Sequence, residues 1–307
     1  MTARITIKTS DGFYYDNNDV LSFRFDKDIY MPYTTLTARI RTPSEIANAS
    51  EVLLSVNGFT VHHGLLDSIK QEQKAGFRFI TISSRGFTSL LCQNQIEPGL
   101  KMNISFNMLM EDFYTLPYVT HENDPDDSSY LYIIPNTSMW DAAVNLTYKR
   151  RGTYPYIRGS NTVMMSPVAS PVTFDFSNEQ FISLGTEHIN SRLASDYHMA
   201  DINGDYGTFD LHDSDAAALK IVRHKYFDLD MRFLYNPQQA LVYRDKYDFR
   251  GRERVFCSYS GYHSEDLCDV ISFGSVSSER IGSVTIRGSS RGVFTETGVY
   301  RDKFPHT

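Results

Sequence analysis

The stretch Asp201-Ile202-Asn203-Gly204-Asp205-Tyr206-Gly207 sets oxygen-bearing side chains at alternate positions, the opening of a calcium-binding loop. The match then fails. Position six is Tyr206 where such a loop turns on glycine, and position twelve is His212 where a bidentate glutamate belongs. Asn203-Gly204 is also the dipeptide of a tight hairpin turn, and an exposed turn is the expectation. Residues 196–215 hold six aspartates, His198 and His212, with no lysine or arginine. Such a set suits zinc or iron, but ligand spacing is missing and a solvated loop is expected. His62 and His63 are adjacent in a strand pattern, so they point to opposite faces and cannot form a facing ligand pair.

Glycoside hydrolysis needs two carboxylates roughly 5–10 Å apart. Glu111, Asp112, Glu179 and Glu187 are available, but no spacing joins any two of them across a cleft. GxSxG, HExxH, P-loop and GxGxxG patterns are missing. The three cysteines, Cys92, Cys257 and Cys268, include no CxxC pair. That argues against a structural zinc site and a disulfide framework, and for a reducing compartment. Cys92 is expected on the apolar side of a short helix. No catalytic residue, cofactor-binding residue or metal ligand is assigned, no cofactor is implied, and the reading is non-enzymatic.

Composition points the same way. The 307 residues carry a formal net charge of −7, which disfavours dedicated binding of phosphate backbones. Arg280, Arg287, Arg291, Arg301 and Lys303 gather near the end, as a solvated hairpin or as a contact for an acidic neighbour. The acid run His121-Glu122-Asn123-Asp124-Pro125-Asp126-Asp127 is expected to be solvated. No apolar run approaches the ~20 residues of a membrane helix, and the first residues alternate like a strand. Twenty Tyr and twenty Phe among scattered Gly and Pro favour a β-rich chain.

The elements follow from periodicity. Ile5 and Ile7 share one strand face, as do Leu21, Phe23 and Phe25, and Leu36, Ala38 and Ile40. Strands are expected over 52–57, 59–73 and 77–83, with a Lys74-Ala75-Gly76 turn and a short helix over 87–94. A helix over 103–116 rests on Phe106, Leu109, Met110 and Phe113. Ser138-Met139-Trp140-Asp141 reads as a capping box, and Gly152 ends the helix it opens. A hairpin over 154–158 and 162–165 follows. Strands then return over 172–176, 181–189 and 193–199. A helix capped by Asn236 with Pro237 in its first turn precedes a terminal hairpin with residues 288–292 at its bend.

The strings VNGFTVHHGLLDSIKQEQ, FRFITISSRGFTSLLCQNQIEPG, FRFDKDIYMPYTTLTARI and NTSMWDAAVNLTYKRRGTYPYIRG resemble the central hub proteins of phage-tail baseplates, the late control protein D and Mu-like hub family. The resemblance spans nearly the whole chain. It implies a β-rich α+β protein: a tail-tube-like antiparallel β-barrel over residues 1–97, a small α/β insert domain over 98–166, and a second such barrel over 167–307. It further implies a homotrimeric ring that joins a hexameric tail tube to a trimeric spike and lines the channel. Its partners would be the spike, a tube or tube-initiator protein and other baseplate proteins, with DNA only as passing cargo and no membrane insertion. The location would be the virion tail, or a phage-tail-like particle, made in the bacterial cytoplasm. The Tyr30-Met31-Pro32-Tyr33 corner and the 288–292 hairpin are then expected at subunit contacts. The competing reading is a carbohydrate-binding or carbohydrate-acting β-protein that uses aromatic rings as sugar platforms.

Overall fold

The structure is a computed structural model and describes residues 2–111, 115–126, 130–233 and 236–304. Seven strands come first: β1 (Ala3–Thr9), β2 (Tyr14–Asn17), β3 (Val20–Asp28), β4 (Thr35–Thr42), β5 (Ala49–Val56), β6 (Phe59–Lys74) and β7 (Phe77–Gly86). A tight turn at Phe87–Ser89 leads into the single-turn helix α1 (Leu90–Gln93). The middle segment contains β8 (Gly99–Met102), α2 (Phe106–Glu111), β9 (Thr120–His121), β10 (Tyr130–Ile133), α3 (Met139–Arg151), β11 (Tyr156–Arg158) and β12 (Thr162–Met164). The rest is β13 (Thr173–Asp175), β14 (Phe181–His188), β15 (Asp196–Met199), β16 (Phe209–His212), α4 (Ser214–Ala218), β17 (His224–Phe227), α5 (Pro237–Phe249), β18 (Glu253–Ser260), β19 (Val270–Phe273), β20 (Val276–Ser289) and β21 (Gly292–Arg301).

Local chemistry sets these boundaries. Ser138 caps α3 by accepting from the Asp141 amide, and Gly152 closes it in the left-handed conformation at φ 68°. Asn236 caps α5 by accepting from the Gln239 amide, with Pro237 in the first turn where its missing N–H costs nothing. Of the helix expected over 103–116, the structure describes Phe106–Glu111; Asp112 and Phe113 lie outside the described residues.

The main sheet runs β14-β18-β21-β20-β3-β4-β7-β6-β5-β1-β2, with β19 beside β20 and β13 beside β19. The late strands join the early ones through the antiparallel pairing of β20 with β3, where Ile286 faces Phe25 and Gly288 faces Phe23. First and last parts of the chain therefore share one sheet. They also share one core. Ile5, Phe25, Ile40, Leu54 and Ile82 pack in the same cluster as Cys257, Tyr259, Ile271, Ile286 and Val299. A second core holds Phe106, Leu131, Trp140, Leu146 and Ile157 from the middle segment. Tyr197, Met199, Leu241, Tyr243 and Phe304 from the later part complete it.

The four-stranded order β3-β4-β7-β6 recurs as β14-β18-β21-β20. The recurrence extends to register. In the first hairpin Lys74 faces Phe77 at the turn, Ser68 faces Ser83, and a bulge separates that pair from Leu66 facing Ser84. In the second, Ser289 faces Gly292, Ser283 faces Gly298, and a bulge separates that pair from Ile281 facing Val299. Likewise β3 bulges between Val20 and Ser22 against β4, and β14 bulges between Phe181 and Ser183 against β18. A bulge is a positional feature of a strand pair, so matched bulges mark equivalent strands.

Candidate functional site

The residues that carry the folded architecture meet around Tyr30. Its ring packs on Tyr154 at 5.3 Å, Tyr300 at 5.6 Å and Phe304 at 6.2 Å between centroids. Its hydroxyl donates to Asp302, and burial, with Asp302 next in effect, pushes its pKa well above the usual phenol value. The corner expected at a subunit contact thus spends its first tyrosine inside the chain. Tyr33 remains half-buried on the rim, under the guanidinium of Arg85.

A buried charge network crosses the boundary between middle and later segments. Lys27 is 6% exposed and donates to the Gly159 carbonyl at 2.6 Å and to Asp266. Arg158 donates to Asp269 at 2.8 Å and to the Leu267 carbonyl at 2.6 Å. Burial lowers the Lys27 pKa against the pull of Asp266. Removing one member would strand an uncompensated charge.

The histidine pair divides as strand geometry demands. His62 is fully buried, with Nδ1 2.8 Å from Thr34 Oγ1 and Nε2 2.8 Å from Ser84 Oγ. Burial, helped by nearby His63, pushes its pKa down to about 3, so it is a neutral core group. His63 turns outward to Glu51 at 3.0 Å and packs on Phe87 and Tyr118.

Three acidic expectations resolve differently. The Asp201 carboxylate accepts from the Asn203 and Asp205 amides at 2.8 and 3.0 Å, with Gly204 at φ 87°. It closes its own turn, as the Asn-Gly dipeptide suggests. Residues 196–215 are more ordered than a solvated loop. Strands β15 and β16 pair there with β17 alongside β15, and one face of this sheet carries a ladder: His198 on Asp210 at 2.6 Å, His212 on Asp196 at 2.8 Å, His224 stacked on His198. Among the described residues no group of three or more His, Cys, Asp or Glu has the arrangement to hold a metal ion.

The run at 121–127 is not simply solvated. Asp124 is 4% exposed and pairs with Arg150 and Arg151 at 2.8 Å each, while Glu122 accepts from the Met165 and Ser166 amides. Burial would raise the Asp124 pKa, but hydrogen bonds from Arg151 and Arg150 outweigh it and hold it low. Asp127 lies outside the described residues. Sequence could have flagged Asp124, because Arg150 and Arg151 end the next helix along the chain, α3, beyond the short strand β10.

The late basic residues are largely engaged within the chain. Arg280 donates to the Cys268 carbonyl at 2.7 Å, Arg301 to Glu279 at 2.9 Å, and Lys303 to Asp213 and Asp245 at 2.8 Å. Burial and the hydrogen bond with Asp213 push Asp245 up to about 7. Cys92 is exposed, and its neighbour Leu91 occupies the interior position instead. A one-turn helix has too few residues for periodicity to choose between adjacent apolar side chains. Glu111 lies 3.2 Å from His121, and Glu187 stands on the exposed strand β14.

A cleft of about 640 Å³ opens beside α3, β17 and α5. Tyr154, Tyr226, Tyr243 and Tyr247 line it with Asp141 and Asn145. Asp230 holds both Arg232 and Arg244 at its wall. Sequence reasoning did not assemble this cleft, since its residues come from positions 134 to 247.

No protein-family model matches this chain, and no curated protein matches it. Solved structures do. The chain superposes on a 43 kDa tail protein of prophage MuSo2 from Shewanella oneidensis with TM-score 0.72 and 11% identity, covering 97% of this chain and 98% of that one. A tail protein from Neisseria meningitidis MC58 gives TM-score 0.69 and 13% identity, covering 100% and 98%. An E. coli component of the type VI secretion system, described as structurally similar to the T4 tail proteins gp27 and gp5, gives 0.56 and 9%, covering 94% and 76%. At these identities the likeness is one of fold. The chain has the β-rich fold of phage tail proteins, built on a large antiparallel sheet. No described helix is long and apolar enough to cross a membrane.

Proposed function

We propose that this chain is the structural hub of a phage or phage-tail-like baseplate. Three copies form a ring that joins a hexameric tail tube to a trimeric spike and lines the central channel. Residues 1–97 and 167–307 supply two tube-like barrels, and 98–166 is an insert packed at their side. The partners are the spike, a tube or tube-initiator protein and other baseplate proteins. DNA passes as cargo, and the chain neither inserts in a membrane nor catalyses a reaction.

The observation that carries this reading is the end-to-end match to two phage tail proteins at TM-scores of 0.72 and 0.69. The recurrent four-stranded unit supports it, because three chains with two units each present six similar edges to a sixfold tube. The test is the solution mass by light scattering over a concentration series, alone and with spike protein, followed by electron microscopy of the complex. A threefold ring is expected. A strict monomer under both conditions would refute the hub.

The tyrosine-lined cleft keeps one alternative alive, a carbohydrate-binding β-protein. A glycan-binding screen tests it, and a monomer that binds glycans through Tyr226 and Tyr247 would favour it.

A further inference from the structure

Among the described residues, two open edges of the main sheet belong to the recurrent unit. Strand β14 ends the main sheet and, among the described residues, pairs only with β18. Strand β6 is sixteen residues long, yet β5 pairs with it only over Phe59–Leu65. The outer edge of residues 66–74 has no strand beside it among the described residues. Their equivalents are not open. By matched turns and bulges, residues 68–74 of β6 correspond to residues 283–289 of β20, and β14 corresponds to β3. In this chain residues 283–289 of β20 pair with β3.

We infer that residues 68–74 of one copy pair antiparallel with β14 of a second copy, repeating between chains the β20–β3 seam within each chain. The inference rests on the ring proposed above and adds its interface and register. Carrying the seam across residue by residue sets Lys70 opposite Glu187, Gln71 opposite Thr186, Gln73 opposite Leu184 and Lys74 opposite Ser183.

Side-chain chemistry agrees with that register. Lys70 and Glu187 take the places of Thr285 and Asp26, which hydrogen-bond at 2.8 Å in the seam. Opposite charges directly across a ladder attract, and a one-residue slip would send them to opposite faces. Within one chain Lys70 pairs with its strand neighbour Glu72 in an exposed ion pair. Leu184 takes the place of buried Phe23, which explains an apolar side chain left 52% exposed on an edge strand. The Gln71 side chain is already fixed to the Ile46 backbone at 2.8 and 3.1 Å, so the strand is held in place with its edge free. Unpaired edges of this length are an aggregation hazard that ring closure removes.

The test is a cysteine pair, Lys70→Cys with Glu187→Cys, in full-length protein carrying Cys92→Ser, oxidised and run on a non-reducing gel. The expected product is a covalent ladder ending at three chains. The shifted pair Gln71→Cys with Glu187→Cys should give none. Independently, K70E should weaken assembly about tenfold across three contacts, and K70E with E187K should restore it. A trimer by light scattering that neither cross-links at 70/187 nor responds to the charge swap overturns this interface and leaves the ring standing. A chain that stays monomeric, with spike present, overturns both.

Discussion

The hydroxyl of Tyr30 donates a 2.5 Å hydrogen bond to the carboxylate of Asp302, joining residues 272 positions apart. Asp302 also accepts from the Gly251 amide at 2.9 Å, so the same carboxylate pins the end of α5. The bond ties the corner after β3 to the end of β21, where the two cores meet. Tyr30→Phe keeps the ring and loses the donor. A loss of roughly 1–2 kcal/mol is expected, read as a lower urea midpoint with an unchanged m-value.

Gly288 faces Phe23 in the β20–β3 seam, and any Cβ there would overlap the Phe23 ring. Gly288→Val should therefore cost about 3 kcal/mol or more by forcing the seam apart. Gly288→Val with Phe23→Ala should recover part of that loss in a thermal melt, because the two changes compete for one space. Additive losses in the double variant would refute the contact.

His62 sets an acid limit on stability. Its folded pKa of about 3 lies below the free value of 6.5, so the unfolded chain takes up the proton first. Its contribution is full above pH 6.5 and is lost as pH falls from 6.5 toward 3. His62→Gln should cost stability at pH 7 but flatten the decline between pH 6.5 and 4. Parallel wild-type and variant curves of unfolding free energy over that window would contradict this assignment.

Asp124 neutralises Arg150 and Arg151 in a site where it is 4% exposed. Asp124→Asn should cost about 3 kcal/mol, because Arg151 loses its counter-charge and Arg150 keeps only the more distant Asp126 at 3.6 Å. The lone tryptophan, Trp140, lies in the neighbouring core on α3 and offers a fluorescence readout of that unfolding. A variant as stable as wild type would show the pairs to be screened.

The Asp201 turn is closed by its own backbone amides. Adding EDTA or calcium should leave the melting temperature where it is. A rise with calcium, abolished by Asp201→Ala, would restore the metal reading.

The amino-acid sequence alone determined what depends on near neighbours. Alternation in β3 and β4, the Ala75-Gly76 turn, the Ser138 cap, the Gly152 stop and the Asn236-Pro237 start are each decided within a few residues. The resemblance carried the order of elements further, to a tail-protein fold that the superpositions support. Tertiary structure alone decided which edges meet. Alternation tells a strand which face to bury but not which edge to pair, so the β20–β3 seam was invisible. It also decided that Tyr30 turns inward, that Asp124 sinks between two arginines, and that Tyr197 and Tyr243 complete a core begun by Trp140. Those outcomes depend on groups that folding brings together beyond the reach of local periodicity, from 27 positions for Asp124 and Arg151 to 272 for Tyr30 and Asp302, and spacing alone does not set which of them meet.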